Sequence, residues 1–418
     1  MKLQYSTYNK RKIINDPVHG FITIPNELIF DLIEHPYFQR LRRIKQLGLS
    51  HLVYPGANHT RFHHAIGAMH LMDKAIDVLR SKEVEISDDE RIAALIAILL
   101  HDIGHGPFSH TLESALLRGV SHEEMSLIFM QRLNAEFNGK LDLSISIFSD
   151  KYPKKFLHQL VSSQLDMDRL DYLQRDSFFT GVSEGIIGSE RIITMLNVVN
   201  GGLAVESKGI YSIENFISAR RIMYWQVYMH KTVVSSEYML TNILSRAREL
   251  FSNGADLFAT PQLKVFLDAT IRPDELKSNH DLLDQFARID DNDIISAVKV
   301  WQDHDDIVLS TLCTHLISRR LFKTEIAAKP FSKTSIAEKK KIIEKTLNIK
   351  PEEANYFVRS ERLVNNAYNE NFKQIHIVYK DGRVSDIAKA SDNLNISALA
   401  KPVEKFSLCY LRLNNKEA

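Results

Sequence analysis

His101 is followed directly by Asp102, and the pair closes an apolar run, Ile92-Ala-Ala-Leu-Ile-Ala-Ile-Leu-Leu100. A neutral imidazole next to a carboxylate is a donor set for a borderline divalent metal. Taken alone, such a pair reads equally as a satisfied polar contact in a core. Further metal-capable residues lie close by. The chain has 17 histidines, densest between His51 and His122. In Arg61-Phe-His-His-Ala-Ile-Gly67, helical steps from His64 fall on Ala68, Leu71, Ala75 and Val78, all apolar. The same steps from His63 fall on Gly67, His70, Lys74 and Asp77. His64 is therefore the inward candidate and His63 the solvent-side one. An acidic ligand from a third element is offered by Asp166, Asp168, Asp171 and Asp176. Asp168, Tyr172 and Asp176 share a helical face. Periodicity does not choose between Asp168 and Asp171.

The elements that must hold these groups are legible in the pattern. A run apolar all round predicts a buried helix, with Ser87 and Glu90 as a capping box and Gly104 as its stop. Residues 10 to 25 predict a β-hairpin around Pro17-Val-His-Gly20. From Asn26 to about residue 250 the pattern is helical, with a hairpin around Gly201-Gly202. Helices are expected to continue over residues 255 to 350, where Ser335 to Glu338 reads as a capping box before a lysine-rich segment. Gln374 to Tyr379 and Arg383 to Ile387 predict a hairpin across Asp381-Gly382, and Phe406 to Arg412 a further strand. The fold expected is mainly α, a helical bundle with a short N-terminal β-hairpin and a small mixed α/β C-terminal region. Three parts are expected: a core over 1–250, a helical extension over 251–365 and a β-containing region over 366–418.

Composition narrows the function. Acidic and basic residues number 52 and 53, which argues against nucleic acid as the main partner. Cys313 and Cys409 are far apart in apolar contexts, as expected of small buried hydrophobes in a reducing compartment. No apolar stretch reaches the ~18 residues of a membrane span, and Met1-Lys-Leu-Gln-Tyr-Ser lacks a signal-peptide core. The expectation is a soluble cytoplasmic protein.

His64, His101-Asp102 and Asp168 resemble the H…HD…D signature of the HD-domain phosphohydrolases. The likeness extends, in order, through Asn15-Asp-Pro-Val-His-Gly20, Phe38-Gln-Arg-Leu-Arg42, Ile44-Lys-Gln-Leu-Gly48, Tyr54-Pro-Gly-Ala57, Arg61-Phe-His-His64, His101-Asp-Ile-Gly-His-Gly-Pro-Phe-Ser-His110 and Asp168-Arg-Leu-Asp-Tyr172. This set, spanning roughly residues 10 to 250, is similar to the dNTP triphosphohydrolases of the SAM-and-HD-domain type and their bacterial relatives. No SAM domain is expected, because too few residues precede this region.

The resemblance implies a divalent metal (Mn, Fe, Zn, Ni or Mg) on His64, His101, Asp102 and Asp168. It implies that His105, His110, His122 and Glu123 serve the phosphate chemistry; Glu113 stands where the family has Asp. It implies triphosphate contacts from Arg61, Arg169 and Arg220, and sugar contacts from Gln46, Leu47, Tyr172 and Tyr228 beside Asp176. Arg169 replaces a family Lys and offers a planar fork instead of a point charge. Lys12, Ile13, Glu34, Gln39 and Arg42 match positions of an activating-nucleotide site at a subunit boundary, which implies a homo-oligomer, dimer or tetramer. Glu34 is one methylene longer than the guanine-reading Asp of the family. The activity implied is hydrolysis of a dNTP to deoxynucleoside and tripolyphosphate. Two other readings stand beside it: a phosphohydrolase of another nucleotide or phosphoester, and a nucleotide-sensing regulator with weak turnover.

Overall fold

A computed structural model describes residues 12–109, 119–268, 273–365, 367–369, 374–392 and 402–412. The chain opens with β1 (Ile13–Asp16) and β2 (Gly20–Thr23), antiparallel with Asp16 opposite Gly20. Gly20 turns the chain at φ +75°, a conformation that disfavours any residue with a Cβ. After short helical turns come α1 (Arg61–Ser81) and α2 (Asp88–Leu100). The predicted capping box starts α2, Ser87 accepting from the Glu90 N–H at 3.2 Å and Glu90 from the Ser87 N–H at 2.7 Å. From Ala93 to Leu100 its side chains are buried on every side, as their lack of a polar face requires. Next follow α3 (His122–Glu136) and α4 (Met167–Thr180). Helix α1 packs on both α2 and α4, so His64, the residues just past α2 and the first turn of α4 converge.

Beyond this bundle the hairpin β3 (Leu196–Val199) and β4 (Gly202–Glu206) turns on Asn200 and Gly201, both left-handed. Then come α5 (Ile210–Met223), a π-helical segment Tyr224–Tyr228, α6 (Lys231–Ser252) and α7 (Asp291–Val300). Residues 255 to 350 are not helical throughout. Lys323–Ala327 forms β5, followed by α8 (Lys333–Leu347). A short segment gives no helical period, and pairing with a distant strand makes it extended. Helix α8 is capped by Ser332, which accepts from the Ser335 N–H at 3.1 Å; the expected cap, Ser335, lies inside the helix. The last strands are β6 (Val358–Asn365), β7 (His376–Val378), β8 (Val384–Asp386) and β9 (Val403–Tyr410). β9 lies between β5 and β6. β7 and β8 form the predicted hairpin, with Gly382 at φ +84°. β7 also pairs in parallel with β4, so these strands complete a sheet begun 172 residues earlier, at Ala204↔His376. Cys313 and Cys409 are buried and unbridged. Among the described residues no helix is long and apolar enough to cross a membrane.

Candidate metal centre and cavity

Helix α2 ends at Leu100, and His101 to Gly104 form a turn. Gly104 is required for a reason the sequence does not display. Its φ is not positive, but a Cβ there would lie 2.7 Å from Met125 C and overlap backbone atoms of His122 and Ser126. The turn therefore lies against α3. Ser126 Oγ accepts from the Gly104 N–H at 2.9 Å and donates to the His101 carbonyl at 2.6 Å.

His64 Nε2 lies 3.0 Å from Asp168 Oδ1, and His101 Nε2 lies 3.4 Å from the same oxygen. Ligand atoms of His64, His101 and Asp168 all fall within 4.8 Å of one another. The Asp102 carboxylate adjoins them, Oδ1 at 3.3 Å from His101 Nε2 and Oδ2 at 3.8 Å from His64 Nε2. His63 is turned away; its Nδ1 accepts from the Thr60 N–H at 3.2 Å at the start of α1.

The tautomers suit a cation. His64 Nδ1 meets Asp171 Oδ2 at 2.8 Å and His101 Nδ1 meets the Ile98 carbonyl at 2.6 Å. Both partners can only accept, so both Nδ1 atoms donate and both Nε2 atoms carry the lone pair. Those two Nε2 atoms are buried and, among the described residues, have no hydrogen-bond partner. Lone pairs and carboxylates facing one another demand positive charge between them. The electrostatics agree: burial opposes charge on His64, yet the facing Asp168 and Asp171 carboxylates outweigh it and raise the imidazole to about 10. For Asp168 burial likewise opposes ionisation, but His101 and His64 hold its carboxyl low. The residues thus fit a divalent metal.

A layer the sequence did not single out supports this set. Asp171, on α4, also accepts from His19 Nε2 at 2.6 Å and from Arg175 Nε at 2.9 Å, and Arg175 Nη1 reaches Asp16 at 2.8 Å. The Asn15-to-Gly20 motif therefore reaches the metal centre through Asp16 and His19. The only sequence signal was an acidic pair three residues apart with no period to separate them. In the structure Asp168 faces the cluster and Asp171 orients His64, a division typical of metal-binding histidines.

The cluster opens into a cavity of about 820 Å³. Gln46, Leu47, Arg61, His101, Asp102, His105, His122, Glu123, Asp168, Arg169, Tyr172, Asp176, Arg220 and Tyr228 line it. His110 and Glu113 lie outside the described residues. His105 and His122 stack with ring centres 4.0 Å apart. Burial, aided by the Arg61 charge, holds His105 well below the usual histidine range. Arg61 pairs with Asp102 and donates from Nε to Ser109 Oγ at 2.8 Å. Arg169 lies 3.2 Å from Asp166, the cap of α4. Arg220, mostly buried, has no hydrogen-bond or ion-pair partner among the described residues. Burial and the neighbouring Arg169 charge depress its pKa. Tyr228 donates to Asp176 Oδ2 at 2.8 Å, while His59 Nε2 meets Asp176 Oδ1 at 2.7 Å.

The remaining candidates lie elsewhere. Lys12 Nζ sits 4.2 Å from the centre of the Phe30 ring, and Ile13 is exposed. Arg42 donates to Gln39 Oε1 at 2.9 Å, and its guanidinium lies 3.5 Å over the Phe62 ring. Burial, opposed by Glu34, lowers the Arg42 pKa. None of the five lines the cavity.

Comparison with known proteins bears on this arrangement. Residues 61–176 match the HD domain and residues 187–259 the HD associated region. An uncharacterized protein of Bacillus subtilis is 35% identical over 322 residues, covering 75% of this chain and 72% of its own. A Dictyostelium discoideum protein, named a deoxynucleoside triphosphate triphosphohydrolase SAMHD1 homolog, is 31% identical over 73% of this chain and 62% of its own length. The crystal structure of a phosphohydrolase from Bacteroides thetaiotaomicron superposes with a TM-score of 0.93 at 57% identity, over 96% of this chain and all of that one.

Proposed function

We propose that this chain, which belongs to the HD-domain phosphohydrolases, hydrolyses deoxynucleoside triphosphates to deoxynucleoside and tripolyphosphate. The observation that carries the reading is a cation-demanding cluster of His64, His101 and Asp168 opening into a cavity where Arg220 makes no ion pair among the described residues. An unpaired guanidinium in a largely buried position is a site for an anion. In this reading His64, His101, Asp102 and Asp168 hold a divalent metal, which supplies Lewis acidity toward a phosphoryl oxygen and an activated water.

The chain's own groups do the rest. Arg220 and Arg169 bind phosphate oxygens and hold the triphosphate. His105, kept neutral at pH 7 by its burial, can exchange a proton at an oxygen of the reacting phosphate, with His122 stacked behind it. Arg61 fixes the Asp102 carboxylate and, through Ser109, the loop that carries His105. Tyr228, held by Asp176, and Leu47 form the sugar wall. Leu47 is apolar, so a 2′-hydroxyl placed against it would lose its hydrogen bonds to water.

The test is to incubate the metal-loaded protein with each dNTP and each ribonucleotide and to separate the products. Tripolyphosphate released in one step from dNTPs, and slower reaction of the matched ribonucleotides, is expected. Orthophosphate as the first product, or equal rates on dATP and ATP, would overturn the reading.

A further inference from the structure

Two adjacent non-glycine residues on the cavity wall, Phe108 and Ser109, are left-handed, at φ +53° and +52°. Such backbone is disfavoured for residues with a Cβ and persists only when its surroundings fix it. The fixing groups can be named. Ser109 Oγ accepts from Arg61 Nε at 2.8 Å. The Phe108 N–H donates to Asp291 Oδ1 at 2.8 Å. The other oxygen of Asp291 accepts from the Lys45 N–H at 2.9 Å. Lys45 directly precedes Gln46 and Leu47, which also line the cavity. The two segments also meet at Gly48, where a Cβ would stand 3.7 Å from the Phe108 carbonyl oxygen.

Asp291 lies outside both matched regions, at the first position of α7. Its own helix does not use its carboxylate. Asp290 is the cap, accepting from the Asn292 N–H at 2.8 Å, and Asp293 accepts from the Asp290 N–H at 2.8 Å. Asp291 is only 6% exposed, so a carboxylate has been taken from water to serve two backbone amides of other segments. A buried charge is costly unless hydrogen-bonded, and here both oxygens are.

We propose that Asp291 is a positioning residue for the active site: its carboxylate bridges the segments Lys45–Leu47 and His105–Ser109, and holds the left-handed turn that carries the phosphate-side wall. The helices beyond the HD region thereby set the width of the cavity. The consequence for turnover rests on the dNTP reading, whereas the bridge does not.

Hydrogen exchange followed residue by residue tests the bridge in the wild-type protein. The Lys45 and Phe108 amides should exchange slowly although neither donates to the backbone. Fast exchange at both would overturn the proposal. In Asp291→Asn one acceptor becomes a donor facing an N–H, so protection at one or both amides should fall while metal content is unchanged. With dATP as substrate, kcat should drop roughly tenfold or more, the factor expected for one hydrogen bond to a charged acceptor. The melting temperature should not fall in step, which a merely structural role would require. Unchanged protection, or lost protection with wild-type kcat, would also overturn the proposal. A wild-type protein inactive on every dNTP would sink the substrate reading, and the amide result would then decide the bridge alone.

Discussion

Gly67→Ala should be among the most damaging single-methyl additions in this chain. Gly67 lies in α1 where α4 crosses it. A Cβ there would stand 2.9 Å from Asp171 Cγ and overlap Asp171 Oδ1 and Arg175 Nη2. On an exposed helix, alanine for glycine gains about 1 kcal/mol. Here the methyl must displace a carboxylate and a guanidinium that are both buried and paired, Arg175 Nε to Asp171 Oδ2 at 2.9 Å. Breaking such a pair and leaving its charges buried costs about 3–5 kcal/mol. The net expectation is a loss of about 2–4 kcal/mol. The effect should also reach the metal, because Asp171 fixes the His64 tautomer at 2.8 Å. Loss of such a partner typically lowers metal affinity about 10- to 100-fold. Urea denaturation gives the first quantity, and titration with a competing chelator gives the second. A variant as stable as wild type that also holds metal equally well would refute the crowding argument. A stable variant with weakened metal would show that the pair had moved without cost to the fold.

Other outcomes follow from the same geometry. His64→Ala should abolish metal binding and His63→Ala should leave it largely intact, as judged by metal analysis; equal losses would refute the helical-face assignment. Arg220→Ala should lower kcat/KM on a dNTP about 10- to 100-fold, the worth of a charge-assisted phosphate contact, with metal content unchanged; wild-type kinetics would remove Arg220 from the phosphate site. Burial raises the Asp291 carboxyl from 3.8 to about 6, opposed by its amide hydrogen bonds and by Lys45 and reinforced by Asp290. The folded protein therefore holds this proton more tightly than the unfolded chain, and stability present below pH 4 is lost as pH rises through 6, by about 3 kcal/mol. Asp291→Asn cannot ionise, so its melting temperature should gain on that of wild type between pH 4 and 7.5; a pH-independent difference would refute this.

The sequence made some of this legible, for reasons that separate residue by residue. His64 was chosen over His63 because a long helix buried on one side imposes its period. The box at Ser87 and Glu90 was legible because capping is local, and the turns at Gly20 and Gly382 because left-handed backbone selects glycine. Asp168 came from resemblance, since Asp168 and Asp171 both serve the centre and no period separates them. Gly104 looked like a helix stop but is small because α3 passes over it, which no local pattern reports. β5 escaped for the same reason: its extended form is set by β9, more than 70 residues further along. Asp291 had no local signal, because the amides it serves lie 183 and 246 residues away.

The parallel pairing of β4 with β7 bears on how the chain is made. Until residues 376–378 emerge, β4 has β3 on one side and, among the described residues, no strand on the other. At about 5–20 residues per second, synthesis leaves that edge open for roughly 10–30 s. Leu203, Ala204 and Val205 are apolar and become buried, so during this interval they form a template for strands of other nascent chains. Crowding on the polysome would then favour mispairing at this edge.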